Sequence, residues 1–200
     1  MTVTTALPHL SGFLSGLPDG LNSHADALAK ASLAKTILDA VPDLPTADLP
    51  DALQALVRSP PPVSTWMSEA RFQALLFAVR DLACADDASF SALCYRQWRT
   101  LFESPLYRIM FATVRPTLLL RASTLRWRTF HRGSTFEIPE MTETSAVAVI
   151  RHPPGLWGGA FALAQVEGLR VILDLSGAKD TRFEHDSTAE TLRIVGRWRV

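Results

Sequence analysis

Apolar residues recur mostly at helical spacing up to Gly133 and mostly at every second position after it, and this switch constrains the fold more than any motif. The stretch that carries it is Pro116 to Ile138, PTLLLRASTLRWRTFHRGSTFEI. It reads as a long helix, a glycine at the C′ position and the first strand of a sheet. At about 100° per residue, Leu118, Leu119, Ala122, Leu125 and Phe130 fall on one broad side, the side expected to face the core. Leu120 and Trp127 lie roughly opposite, so cover on more than one side is expected. Arg121, Arg128 and Arg132 share a neighbouring flank, with His131 at its end.

Upstream of the switch the chain reads as helices. Asn22 or Ser23 is placed to cap a helix running to about Ala40. VPDLPTADLPD breaks it, and Pro50 opens a short helix, PDALQALVR. SPPPV (Ser59–Val63) reads as a stiff extended linker, which divides the chain into residues 1–63, an arm or a helical layer, and residues 64–200. Ser64 or Thr65 is expected to cap a helix to about Ala83, with Phe72, Leu75, Leu76, Val79 and Leu82 on its stripe. Asp86 or Asp87 opens the next, with Phe90, Leu93, Cys94, Leu101 and Phe102 on its stripe. Ser104-Pro105 opens another, carrying Leu106, Ile109 and Met110, which Arg115-Pro116 ends.

Downstream, STFEIPE, TSAVAVIRH, RVILDLSG, TRFEHDS and TLRIVGRWRV read as strands. A helix is expected from about Leu156 to Gly168, and residues 176–180 are assigned to a hairpin turn. Residues 134–200 are thus read as ββαββ. Helices followed by a small sheet give an α+β fold, an N-terminal helical layer on a four-stranded antiparallel sheet. In the last strand Leu192, Ile194, Gly196, Trp198 and Val200 should face the helices, leaving Arg193, Arg197 and Arg199 outward.

Composition narrows the partners. Lys+Arg and Asp+Glu are both 20, so net charge gives no pull toward nucleic acid or anionic membrane. The two cysteines, Cys84 and Cys94, sit in helical patterns and cannot form a zinc quartet, which favours a reduced, cytoplasmic protein. The N-terminus lacks a basic region and is broken by Pro8, Gly12, Gly16 and Pro18, a poor signal peptide. No apolar run approaches the ~18–20 residues of a membrane span.

The segments WMSEARFQALLFAVRDLA, SPLYRIMFATVRPTLLLRASTLRWRTFHRGSTFEI and the tail ending GRWRV resemble an uncharacterised bacterial family, abundant in myxobacteria. That family lies within the superfamily of heme-nitric-oxide-binding and four-vinyl-reductase domains, which also includes TRAPP vesicle-tethering subunits. The resemblance covers roughly residues 60–200. It implies helices on a four-stranded antiparallel sheet, a pocket between them and frequent pairing of subunits. In the heme-binding branch a helix histidine ligates iron and Tyr-x-Ser-x-Arg holds the propionates. Here Pro105–Val114 has no histidine and that motif is missing, so no cofactor is expected. The metal-binding cysteines of the four-vinyl-reductase branch have no counterpart after Cys94.

The candidate residues fall into two groups. Arg121, Arg128, Arg132 and His131 form a partner or anion-binding flank, or else a solvated face paired with acids elsewhere. Phe72, Leu76, Trp98, Tyr107, Met110, Phe111, Trp127, Trp157 and Phe161 are expected between helices and sheet, as a filled core or as the lining of a pocket for a small apolar ligand. GLWGGA is neither a P-loop nor G-x-G-x-x-G, and there is no G-x-S-x-G. Glu184 and Asp186 alternate away from His185 along a strand, so no metal site is expected there. With no catalytic set to assign, the chain reads first as a non-enzymatic interaction or scaffold domain, a homodimer or bound to a partner protein. The alternatives are a heme or small-molecule sensor, and a nucleic-acid-binding module built on the arginine helix.

Overall fold

In the computed structural model, residues 7–103 and 116–200 are described. The fold is α+β, as the period switch requires, with two antiparallel sheets of three and four strands. Helices α1 (Pro8–Ser15), α2 (Ala31–Ala40) and α3 (Asp51–Arg58) precede α4 (Glu69–Ala83) and α5 (Asp87–Phe102). The long helix α6 (Pro116–Phe130) leads into the C-terminal part, where α7 (Gly159–Leu175) packs beside α5. The larger sheet runs β4-β5-β7-β6, with strands Thr135–Met141, Ser145–Arg151, Thr191–Arg199 and Lys179–Ser187 in that order.

Local chemistry accounts for several boundaries. Asp86 caps α5 in a reciprocal box: its carboxylate accepts from the Ser89 N–H at 2.7 Å while Ser89 Oγ accepts from the Asp86 N–H at 3.0 Å. On β7, Leu192, Ile194 and Trp198 are buried and Arg193, Arg197 and Arg199 exposed, as period two predicts. Val200 lies beyond the strand and is exposed.

Leu10, Phe13, Leu33, Ile37, Leu53 and Leu56 are buried in the same core cluster as Leu75, Phe90, Ile150 and Phe161. Residues 7–57 therefore contribute to one hydrophobic core with residues of the C-terminal part. Asp81 of α4, whose side chain is buried, latches α1 in place. Its carboxylate accepts from the backbone N–H of His9 at 3.3 Å and of Leu10 at 2.9 Å, with His9 Nδ1 at 2.5 Å. It thus serves as the missing N-cap of a helix whose own cap position is Leu7.

Three expectations need correction. The first concerns a small sheet, β2-β1-β3, formed by Trp66–Ser68, Leu28–Lys30 and His131–Arg132. It splits the helix expected over residues 22–40 and moves the cap of α4 to Ser68, whose Oγ accepts from the Arg71 N–H. These strands are two or three residues long, too short to display an alternating pattern.

The second is RVILDLSG, which is the end of α7 and not a strand. Gly168 does not stop that helix. A Cβ there would lie 3.2 Å from the Trp98 indole, so the glycine makes room for close packing. The true stop is Gly177 at φ +90°, and the second hairpin turns at residues 188–190.

The third is the phase of α6. Leu119, Leu120 and Trp127 are buried, whereas Leu118 and Leu125 are 55% and 82% exposed. Pairing on two sides, against the sheet and α7, rotates the buried arc away from the one that the apolar residues alone define.

A buried histidine–glutamate pair beside an apolar cavity

The site is assembled by the small sheet. Glu69 opens α4, and its N–H donates to the Ala27 carbonyl at 2.9 Å. β3 pairs with β1 so that His131 lies opposite Ala29. The turn that follows is made by Gly133 at φ +77°, where a Cβ would sit 2.9 Å from Ala27 Cα. No other residue fits so close an approach with that backbone sign. The result brings His131 onto Glu69 across 62 residues of sequence, Nδ1 to Oε2 at 2.9 Å.

His131 was expected on the exposed arginine flank. It is 4% exposed and sits in the core, because it belongs to β3 and not to the last turn of α6. Its ring stacks on Trp127 at 4.2 Å, and Trp157 and Phe161 meet it edge-on at 5.7 and 6.0 Å. Glu69 is also buried, and its second oxygen accepts from Gln73 Nε2 at 2.8 Å. Both carboxylate oxygens are therefore occupied by N–H donors, the usual condition for a carboxylate inside an apolar core.

Two cavities meet at His131. The larger, about 120 Å³ and partly open, lies between α5, α6, α7 and the sheet, and Trp98, Ala122, Trp127, Phe136 and Ile150 are among its walls. The smaller, about 40 Å³, is bounded by Phe72, Leu76, Cys94 and Phe161. His131, Leu33, Trp98, Leu101 and Gln165 line both. Among the described residues the hydrogen bond of the His131 ring is made through Nδ1, and none joins Nε2.

The candidate residues of the sequence reading now have positions. Phe72, Leu76 and Phe161 border the smaller cavity and Trp127 the larger. Trp157 packs against Trp127 and Phe161 behind these walls, at 5.5 and 4.1 Å between ring centroids. Tyr107, Met110 and Phe111 lie outside the described residues. Of the arginine flank, Arg121 and Arg128 are exposed on α6, but Arg132 leaves it. Its guanidinium stacks on Trp66 at 4.1 Å, and Lys30 Nζ lies 4.6 Å from the centroid of the same ring.

Glu69 and Gln73 escaped the sequence reading, whereas Trp98, expected between helices and sheet, lines both cavities. The available signal was a pair of polar residues four apart, interrupting the stripe of Phe72 and Leu76 on α4.

A second buried polar group lies nearby. His152 is held by its own Nδ1, which donates to the Pro153 carbonyl at 2.9 Å, and burial pushes its imidazole below the ordinary range. Its Nε2, the Trp157 Nε1 and the Gln73 Oε1 are buried and meet no partner among the described residues. Cys94 is an inert thiol: burial, with the neighbouring Cys84 and Glu167 adding to it, pushes its pKa up to about 12. Burial likewise raises Cys84. Among the described residues no group of His, Cys, Asp and Glu could hold a metal ion, and no helix is long and apolar enough to cross a membrane.

Comparison with family models finds no match, and comparison with curated proteins finds none. Solved structures do match. An Fe(II) unliganded H-NOX protein from K. algicida superposes with a TM-score of 0.53 at 12% identity, over 86% of this chain and 97% of that one. A Cs H-NOX variant carrying 4-cyano-L-phenylalanine gives 0.55 at 10% identity over 86% and 97%. An oxygen-binding H-NOX domain related to soluble guanylate cyclases gives 0.56 at 8% identity over 86% and 95%. The backbone of this chain is thus similar to the H-NOX fold along most of its length.

Proposed function

We propose that this chain is a small-molecule sensor domain that takes its ligand into the apolar cavity beside His131. The single observation that carries this reading is a cavity of about 120 Å³ with mostly apolar walls and one buried, carboxylate-anchored imidazole beside it. Apolar walls with a few convergent polar groups, here His131 with Ser123, Arg126 and Gln165, are the common pattern of ligand sites. The H-NOX neighbours, among them an oxygen-binding domain and one studied for heme distortion, support a sensing role over the scaffold role that the sequence placed first. Assignment to the myxobacterial-type family rests on the sequence motifs alone, as does the reading as a non-enzyme.

The described residues do not fit a heme. The larger cavity falls well below the roughly 300–1,000 Å³ of drug-sized pockets. It is close to the ~150 Å³ apolar cavity known to accept benzene. A ligand the size of a single aromatic ring is therefore the expected occupant.

Trp98 and Trp127 stand in the wall and report on occupancy. Titration with toluene should give a saturable change in tryptophan fluorescence, lost in Ala122→Phe, which fills the cavity. No saturable change up to the solubility of toluene would refute the reading. A stoichiometric Soret band on adding hemin would refute the size argument.

A further inference from the structure

We infer that His131 selects the ligand: the cavity is built for a small aromatic molecule carrying one hydrogen-bond donor, a phenol rather than a plain hydrocarbon or an ether. The inference rests on the cavity reading above and adds the polarity of its occupant. Glu69 accepts from Gln73 on Oε1 and faces His131 Nδ1 with Oε2 at 2.9 Å. A carboxylate so placed takes the ring proton on Nδ1, and a neutral imidazole with its proton there offers Nε2 only as an acceptor. The ring cannot turn to exchange its nitrogens, since Trp127 covers its face at 4.2 Å and Trp157 and Phe161 close on it edge-on. In the neutral ring Nε2 is therefore a lone pair fixed in place beside both cavities.

A hydroxyl hydrogen entering the larger cavity would find this acceptor among aromatic walls. An ether oxygen would face it with a second lone pair. A hydrocarbon would leave Nε2 unsatisfied. The aromatic side chains of Trp98, Trp127 and Phe136 favour a flat ring over a branched chain.

The test compares phenol, anisole and toluene on the full chain by fluorescence titration. Water holds phenol better than toluene, so the quantity to read is the ratio of their affinities in the native chain against His131→Phe/Glu69→Gln. That variant keeps an aromatic ring at 131 and a hydrogen-bonding side chain at 69. The phenol-to-toluene ratio should fall by about 3- to 10-fold, the range of one neutral hydrogen bond. The anisole-to-toluene ratio should not fall. Nitrogen-15 spectra of the native chain give an independent reading that needs no variant. His131 Nε2 should appear unprotonated, and its resonance should shift on adding phenol but not toluene.

Toluene binding with an unchanged phenol ratio, or a protonated Nε2, overturns the selectivity while the cavity reading stands. Failure of all three probes to bind overturns the cavity reading and the inference with it.

Discussion

Removing either member of the Glu69–His131 pair should cost far more than removing both. Glu69→Leu strands two buried donors, His131 Nδ1 and Gln73 Nε2, and each buried orphan costs about 1–3 kcal/mol. The expected loss is about 2–5 kcal/mol. His131→Phe keeps the ring in its aromatic stack but leaves a carboxylate oxygen without its partner in a site that is 1% exposed. Losses of about 3–5 kcal/mol follow when one member of a buried pair is deleted. Glu69→Leu/His131→Phe leaves only the Gln73 amide stranded and gains apolar contact, for about 1–3 kcal/mol. The double variant should thus be at least as stable as either single one, with a coupling of about 3 kcal/mol or more between the sites. Urea unfolding measures this, with midpoints of the single variants about 1–2 M below the native one at unchanged slope. Effects that add to within about 0.5 kcal/mol would refute the account of the pair as one buried unit.

Three further outcomes follow from other parts of the fold. Burial holds His152 below its ordinary range, so the unfolded chain binds the proton first. Stability from this group is full above about pH 6.5 and falls as pH drops through that value toward the folded pKa, and His152→Phe should flatten the slope between pH 7.5 and 5.5 in urea unfolding. Gly133→Ala places a Cβ 2.9 Å from Ala27 Cα at φ +77° and should cost about 2 kcal/mol or more, read as a lower urea midpoint. Asp81→Ala removes the acceptor of two backbone N–H groups of α1; it should cost about 1–2 kcal/mol and open residues 8–15 to limited proteolysis without cleavage elsewhere.

The sequence made much of the frame legible. The period switch at Gly133 marks the start of the sheet, and the α4 and α5 stripes put Leu75, Leu76, Phe90 and Cys94 in the core. Period two likewise put Leu192, Ile194 and Trp198 inward. Gly168 was misread as a stop because a glycine in one dimension cannot be told from a glycine that yields space to Trp98. Leu118 and Leu125 were misplaced because hydrophobicity alone does not fix the phase of a helix packed on two sides.

By itself, the sequence determined the long helices α4, α5 and α6, the turn at Gly133 and the alternating faces of the last strand. All of these follow from local spacing and from backbone conformations that only certain residues adopt. The tertiary structure decided the site. Strands of two or three residues have no stability or pattern of their own, and they form because β1 lies between β2 and β3. That pairing carries His131 from the expected surface flank into the core and sets it on Glu69, a juxtaposition that no spacing along the chain encodes.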